Sequence, residues 1–520
     1  MADIIPRPAR AKQTDEKIWF SENTVFNGEF AEVAELFKNL IPKAQNASKN
    51  TLNFITDSDI AAEGYKILYS DGDINIFCGD KAGALYGFMT LIQLAGGKDC
   101  FNAVIIEDAP KYSWRGFMLD CSRHFWTVDK IKQILDYLAM IKMNVFHWHL
   151  CDDQGWRIEI KKYPLLTQKG AVRKGTQYSV NQLRDKDTTY VEGEYGKGLF
   201  YTQDDAREIV RYAAERNITV IPEIDVPGHS TAAIACYPEI SCAGEAVEVE
   251  PHFGIFKNNL CVSKPEAYEF IKDVIDELCE IFPAPYFHIG GDEVLSDQWS
   301  NCPGCQALMK EKGLKNYTEL QGYFNNILVA HLKAHGKQTI GWNEIISENL
   351  DSSAIPEVWT TDALQKSVEW AQKGGKTIQI LYPYVYADQP YSIIPLSKTY
   401  NYNPVFEGFD DENILGFEMP QWVEYIPTEE KFDFQTFVRL LAMSEVAWTP
   451  VQNRNYENFE QRVENMRGYF KSIGITLAPK RIYCGNTFTG ADNMPENKRV
   501  EAGRRIWRDN PDCEFNLLKY

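Results

Sequence analysis

The sequence predicts an α/β protein: a (β/α)8 TIM barrel preceded by a small α+β domain. Three observations predict it. From Trp114 onward, short apolar runs alternate with amphipathic helical stretches, the pattern of repeated βα units around a parallel sheet. Eight such units fit within about 330 residues, the size of one barrel with insertions. No Gly-rich phosphate turn follows the first run, which ends Leu119-Asp120-Cys121-Ser122-Arg123-His124-Phe125, and this disfavours a doubly wound sheet.

Residues 1–110 read as the α+β domain. A strand over 64–70, an Asp71-Gly72 turn and a strand over 74–77 make a hairpin. Apolar residues at helical spacing over 82–94 predict a helix, and Glu107-Asp108-Ala109-Pro110 reads as a connector. Residues 111–520 read as the catalytic barrel with a C-terminal helical segment. Its strands are expected at 116–120, 144–150, 219–225, 286–290, 338–342, 356–359, 377–381 and 414–417. Helices at 128–141, 204–216, 265–281 and 318–334 fit between them. Residues 160–200 and 238–260 read as polar insertions near the mouth, expected to be ordinary surface loops.

With 44% apolar and 24% charged residues in 520, the chain is neither disordered nor collagenous. Its 54 Lys and Arg against 73 Asp and Glu leave a net charge of −19, which repels phosphate backbones and argues against a nucleic-acid partner. No apolar run reaches the roughly 18 residues that span a bilayer. Twelve Cys are too sparse for a disulfide scaffold. Only Cys302 and Cys305 form a C-x-x-C. A zinc ribbon needs a second such pair, so a structural turn or local disulfide is expected there, with no metal and no cofactor. The start, MADIIPRPARAK, has no apolar signal core. The expectation is a periplasmic or secreted protein whose export signal is absent from this chain, with a cytoplasmic protein as the alternative; a homodimer is compatible with either.

The strand ends carry the chemistry. They read Asp120, Trp148-His149 with Asp152-Asp153, Glu223-Ile224-Asp225, Asp292-Glu293, Trp342, Trp359, Tyr386-Ala387-Asp388 and Trp422-Val423-Glu424. In a barrel these ends converge on one mouth, giving a carboxylate-rich, tryptophan-lined pocket. Indole faces stack on sugar rings and carboxylates pair with hydroxyls, so the substrate class is a small oligosaccharide or glycoconjugate. The key run is His288-Ile289-Gly290-Gly291-Asp292-Glu293. In a straight strand its two acids would point to opposite faces; the glycine pair lets the backbone turn so that both reach the cavity. Two carboxylates on one side cannot be acid and opposite-face nucleophile. One is then the acid, and the other positions something that the substrate supplies, such as a 2-acetamido group. Two like charges so close push one pKa up, which would favour a protonated Glu293.

Four runs, Trp114–Phe125, Asn144–Arg157, Pro222–His229 and His288–Glu293, together with the IIPRP start and the 82–94 helix, resemble the β-N-acetylhexosaminidases of glycoside hydrolase family 20. The resemblance covers nearly the whole chain. It implies Glu293 as general acid/base, Asp292 as the clamp on the acetamido nitrogen, and retaining, substrate-assisted hydrolysis through an oxazolinium intermediate. It further implies Tyr386 on the acetamide oxygen and Trp342, Trp359 and Trp422 as the walls. Arg115 and Glu424 would hold the outer hydroxyls, and Asp388 would be the substrate-binding carboxylate two residues past Tyr386. His229 with Asp153 or Asp152 would support the acid. The product would be a terminal non-reducing N-acetylglucosamine or N-acetylgalactosamine. Competing readings are a disaccharide-releasing enzyme of the same family, a sugar-binding module without turnover, and a metal-dependent barrel hydrolase built on His147 and His149. The last lacks further imidazoles, since no His follows His335.

Overall fold

The computed structural model describes residues 3–45, 49–177, 190–405, 408–484 and 514. Eight parallel strands close into a barrel: β1 (Trp114–Asp120), β2 (Val145–His149), β3 (Thr219–Glu223), β4 (Tyr286–His288), β5 (Gln338–Trp342), β6 (Ile355–Val358), β7 (Thr377–Gln379) and β8 (Ile414–Gln421). Each falls on a stretch that the apolar runs mark. β8 is longer than its apolar run suggests, because Gly416 to Gln421 pair in register with Trp114 to Leu119 to close the ring. β4 is shorter, because the backbone turns at Gly290.

The helices between strands start where side chains satisfy their free N–H groups. Val128–Met140 is capped by Thr127, Tyr317–Ala334 by Asn316 and Glu429–Trp448 by Thr428; Gln203–Ala214 opens on a Thr202/Asp205 capping box. Pro265 opens Pro265–Cys279, where its lack of an N–H leaves one fewer donor to satisfy.

The first residues make a six-stranded sheet in the spatial order Arg10–Trp19, Cys100–Asp108, Tyr65–Ser70, Asp73–Cys78, Thr51–Thr56, Val25–Gly28. Its hairpin turns at Asp71 and Gly72, both at positive φ (52° and 84°). The helix Lys81–Ala95 is buried along nearly its whole length, capped by Asp80 and stopped by left-handed Gly96. It lies between this sheet and the floor of the barrel. Tyr86 meets Trp448 edge-on at 5.2 Å, and Gln93 donates to Met140 O at 3.0 Å.

The barrel core is partly ionic. His147 Nδ1 lies 2.7 Å from Glu418 and its Nε2 3.1 Å from Glu223; His288 reaches Glu223 at 3.1 Å and Glu357 at 3.2 Å. His149 pairs with Glu223 and Asp152. The two imidazoles of the metal-hydrolase reading are thus held by carboxylates of neighbouring strands. Within 160–200, Arg173–Gln177 pairs with Tyr190–Tyr195; residues 178–189 lie outside the described residues. The 238–260 stretch is not a loose surface loop. Glu250 N donates to Asp153 O (3.1 Å), Gln154 to His252 O (2.8 Å) and Phe253 N to Gln177 (2.7 Å). Among the described residues no helix is long and apolar enough to cross a membrane.

Candidate active site

At the end of β4 the chain takes a turn that only glycine permits. Gly290 sits at φ 67°, and a Cβ there would fall 1.8 Å from Asp225 Oδ1. Gly291 sits at φ 98°, with Ile345 2.5 Å from any added Cβ. Its N–H donates to Asp225 Oδ1 at 3.0 Å, which fixes the turn. Glu293 and His229 are themselves left-handed (φ 50° and 47°), a costly geometry that surrounding structure must enforce. The turn delivers Asp292 and Glu293 to the same cavity, as the Gly-Gly pair implies.

That cavity, about 480 Å³, opens at the C-terminal ends of the strands. Asp292, Glu293, His229, Trp342, Trp359, Tyr386, Asp388, Trp422 and Glu424 all line it. Trp342 and Trp422 stand 5.8 Å apart, centre to centre, and Trp359 stands 6.4 Å from Tyr386. The indoles are anchored from behind: Trp342 Nε1 donates to Glu223 (2.9 Å) and Trp359 Nε1 to Glu344 (2.7 Å).

Behind the acids runs a charged relay. His229 Nε2 lies 3.6 Å from Glu293 and 3.7 Å from Asp292; its Nδ1 lies 3.1 Å from Asp152 and 3.2 Å from Asp153. Both aspartates therefore turn inward. Asp153 is also held by Thr231, through its backbone N–H (2.9 Å) and its hydroxyl. Burial opposes a charged His229, but Asp152 and Asp292 outweigh it and raise its pKa well above the usual imidazole value. Burial likewise opposes a charged Asp152, yet Arg123 and His229 hold its pKa below the ordinary carboxylate range.

The upward push falls on Asp292, through burial and then through the neighbouring Asp225 carboxyl. Asp388 is raised to about 7 by burial and by Glu424, and Glu344 to about 7 by burial, with Glu293 adding to it. Burial keeps the Tyr386 phenol protonated, a hydrogen-bond donor into the cavity. Asp292 Oδ1, Asp388 Oδ1 and His229 Nε2 are buried without a hydrogen-bond partner, so the polar equipment of the cavity is incomplete by itself.

Arg115 is a correction. It lies at the opposite, N-terminal end of β1 and is fully buried. Its guanidinium grips Glu63 bidentately (2.5 and 3.1 Å) and donates to Tyr112 O and Lys142 O. A residue opening a barrel strand faces the floor, so it does not reach the mouth. The arginine in the cavity is Arg123, three residues past the end of β1. It pairs with Asp152 (2.6 Å) and Asp120 (3.2 Å) and lies over the Trp422 ring at 5.1 Å. Its signal was its place in a loop following a strand end. Glu344, two residues past Trp342, was missed for lack of any neighbouring acid in the sequence. Of the structural turn or local disulfide expected at Cys302 and Cys305, the disulfide does not form: both are free thiols, and Cys302 leads into a helix opened by Pro303.

Comparison with known proteins bears on this arrangement. The profile of the glycosyl hydrolase family 20 catalytic domain matches residues 112–451, and that of the same family's domain 2 matches residues 1–109. A β-hexosaminidase of Porphyromonas gingivalis is 35% identical over 504 residues, covering 89% of this chain and 62% of its own length. A β-N-acetylhexosaminidase of Cellulomonas fimi is 31% identical, covering 82% of each. The chain thus spans about three fifths of the P. gingivalis relative and 63% of a Vibrio furnissii β-hexosaminidase. Among solved structures, the exo-β-N-acetylglucosaminidase of Vibrio harveyi bound to N-acetylglucosamine superposes with a TM-score of 0.79 at 30% identity, over 92% of this chain and 78% of that one. A Bacteroides fragilis β-N-acetylhexosaminidase superposes at 0.80 and 28% identity, over 94% and 99%.

Proposed function

Because the chain belongs to glycosyl hydrolase family 20, we propose that it is an exo-acting β-N-acetylhexosaminidase that removes terminal β-linked N-acetylglucosamine or N-acetylgalactosamine with net retention. One observation carries this reading: Asp292 and Glu293 enter one indole-walled cavity from the same side, and Asp292 keeps a buried oxygen with no protein partner.

The substrate then supplies the nucleophile. Its acetamide oxygen attacks the anomeric carbon while Glu293 gives its proton to the departing glycosidic oxygen. Asp292, ionised once the acetamide N–H donates to it beside the His229 imidazolium, holds the amide in the attacking pose and balances the positive charge that develops on the oxazolinium ring. Tyr386 donates to the attacking oxygen, and Trp342, Trp359 and Trp422 exclude water around the methyl group and the sugar face. Water then adds to the anomeric carbon from the face the leaving group vacated. Glu293 takes the proton of that water, the ring opens, and the product keeps the β configuration. Arg123, Asp388 and Glu424 close the far end of the cavity and hold the outer hydroxyls, Arg123 taking the part first assigned to Arg115. Arg123 offers a planar fork to two vicinal oxygens. The imidazolium of His229, fixed by Asp152 and Asp153, steadies whichever carboxylate is ionised.

The test compares a chromogenic β-N-acetylglucosaminide with the matching β-glucoside, in the wild type and in Asp292→Asn. The wild type should turn over only the acetamido substrate, and Asp292→Asn should lose about 10²–10³ in kcat on it. Equal hydrolysis of both substrates would defeat assistance by the acetamide. Release of a disaccharide in place of one sugar would defeat the exo-acting reading.

A further inference from the structure

Four cysteines from three separate stretches of chain meet beside the loop that follows β4. Cys242 lies within the 238–260 stretch and Cys261 directly follows it, while Cys302 and Cys305 open the helix Pro303–Lys312. The Sγ atoms of Cys242 and Cys305 lie 3.8 Å apart, those of Cys261 and Cys305 3.8 Å, and those of Cys261 and Cys302 4.0 Å. All four sulfurs lie within 4.8 Å of one another, and all four thiols are free. A disulfide needs sulfurs at about 2.05 Å. A zinc ion at about 2.3 Å from four sulfurs sets them about 3.8 Å apart along each edge of a tetrahedron. These three spacings match the second, and the remaining edges stay within 4.8 Å.

The surroundings suit four thiolates as well. Ser263 Oγ lies 3.3 Å from Cys261 Sγ, 3.6 Å from Cys305 Sγ and 3.9 Å from Cys302 Sγ, so its one O–H can donate to a thiolate of this group. Gly304 makes that approach feasible, since a Cβ there would fall 2.5 Å from Ser263 Oγ. Cys305 lies in the first turn of its helix, whose free N–H groups favour negative charge.

We propose that Cys242, Cys261, Cys302 and Cys305 bind one structural zinc ion. On binding, the four thiols release their protons to solvent and four Zn–S bonds form, with no change of oxidation state. The ion closes the coordination shell entirely with protein sulfur, leaving no position for substrate, so its role is mechanical. It ties the chain before the helix Pro265–Cys279 to the chain after β4. The tie lies close to the catalytic turns: Leu260 N donates to Pro227 O (2.9 Å), two residues before His229, and Trp299 Nε1 donates to Leu260 O (2.9 Å). This inference does not depend on the glycosidase reading.

The experiment is elemental analysis of the whole chain, expressed with zinc in the medium and purified without chelator. The expected result is about one zinc per chain, with X-ray absorption showing four sulfur neighbours at about 2.3 Å. Cys261→Ser and Cys305→Ser should each reduce zinc at least tenfold. Should those variants fail to fold, the wild type still decides: an organomercurial should release zinc, read with a metallochromic dye, in step with the titration of these thiols, and Tm should fall by several degrees. Four reduced thiols without metal, a disulfide joining any two of them, or stoichiometric iron in place of zinc would each overturn the proposal.

Discussion

The two ends of the barrel are built from the same materials and put to opposite ends. Both bury cations among carboxylates. At the floor, Arg115 grips Glu63, while Lys142 contacts Asp108 (3.1 Å) and the Tyr65 hydroxyl (2.8 Å); Asp108 also accepts from Tyr65 (2.6 Å) and Trp448 (2.9 Å). Every charge there has protein partners. At the mouth, Arg123, His229 and the surrounding acids form a similar network, but Asp292 Oδ1 and Asp388 Oδ1 are left over. A buried ionic network that is closed is a fastening. One that is open on a single side is a receptor for whatever completes it.

The contrast can be broken most forcefully at Glu293. Glu293→Gln should cut kcat by about 10³–10⁴ on an unactivated glycoside while leaving substrate affinity and Tm near wild type. A Tm collapse would mean that Glu293 belongs to a fastening after all.

The two arginines give the sharpest test of the difference. Arg115→Ala leaves Glu63 facing an emptied buried site and should destabilise folding by ~3–5 kcal/mol, seen in denaturant titration, with kcat per folded molecule unchanged. Arg123→Ala also leaves Asp120 and Asp152 without a buried cation and costs stability, but unlike Arg115→Ala it should lower kcat/KM by about 10²-fold, mostly through KM, on substrates whose outer hydroxyls are intact. If both variants lose stability and neither changes KM, the ends are not distinct.

The most gradual effect is a pH dependence. Asp388 has a folded pKa of about 7, raised by burial and by Glu424. The folded state therefore binds this proton more tightly than the unfolded chain, whose carboxylate titrates near ~4. The resulting stability is fully present below pH ~4 and is lost as pH rises through about 7. Asp388→Asn removes the dependence. Between these pH values the wild type should lose at most about 4 kcal/mol relative to the variant, three units at ~1.4 kcal/mol each. A constant difference in Tm across that range would show that Asp388 is ionised throughout.

Much of this was legible in the sequence because barrel geometry converts position along a strand into position in space. Trp342, Trp359, Tyr386, Trp422 and Glu424 could be placed at the mouth simply because each follows an apolar run. Gly290 and Gly291 announced a turn, and the structure supplies its reason in the oxygen of Asp225 pressed against the first of them. Arg115 went astray where motif position was allowed to outrank strand polarity; Arg123 obeys the same rule that located the tryptophans. The pKa push on Asp292 was not legible, since it comes from burial and from Asp225, in the loop that follows β3. Nor were the four cysteines: sequence spacing shows one C-x-x-C, while Cys242 and Cys261 reach it only through the folding of an insertion.

The helix Lys81–Ala95 has a practical consequence. It touches the six-stranded sheet on one side and the barrel floor on the other, so the first hundred residues are a keel and not cargo. A fragment beginning near residue 111 would bare the faces of Trp448 and Met140 to water and strand Lys142 and Arg115 without their acids. Such a fragment should precipitate in expression trials, and chimaeras between relatives will need to exchange keel and barrel together.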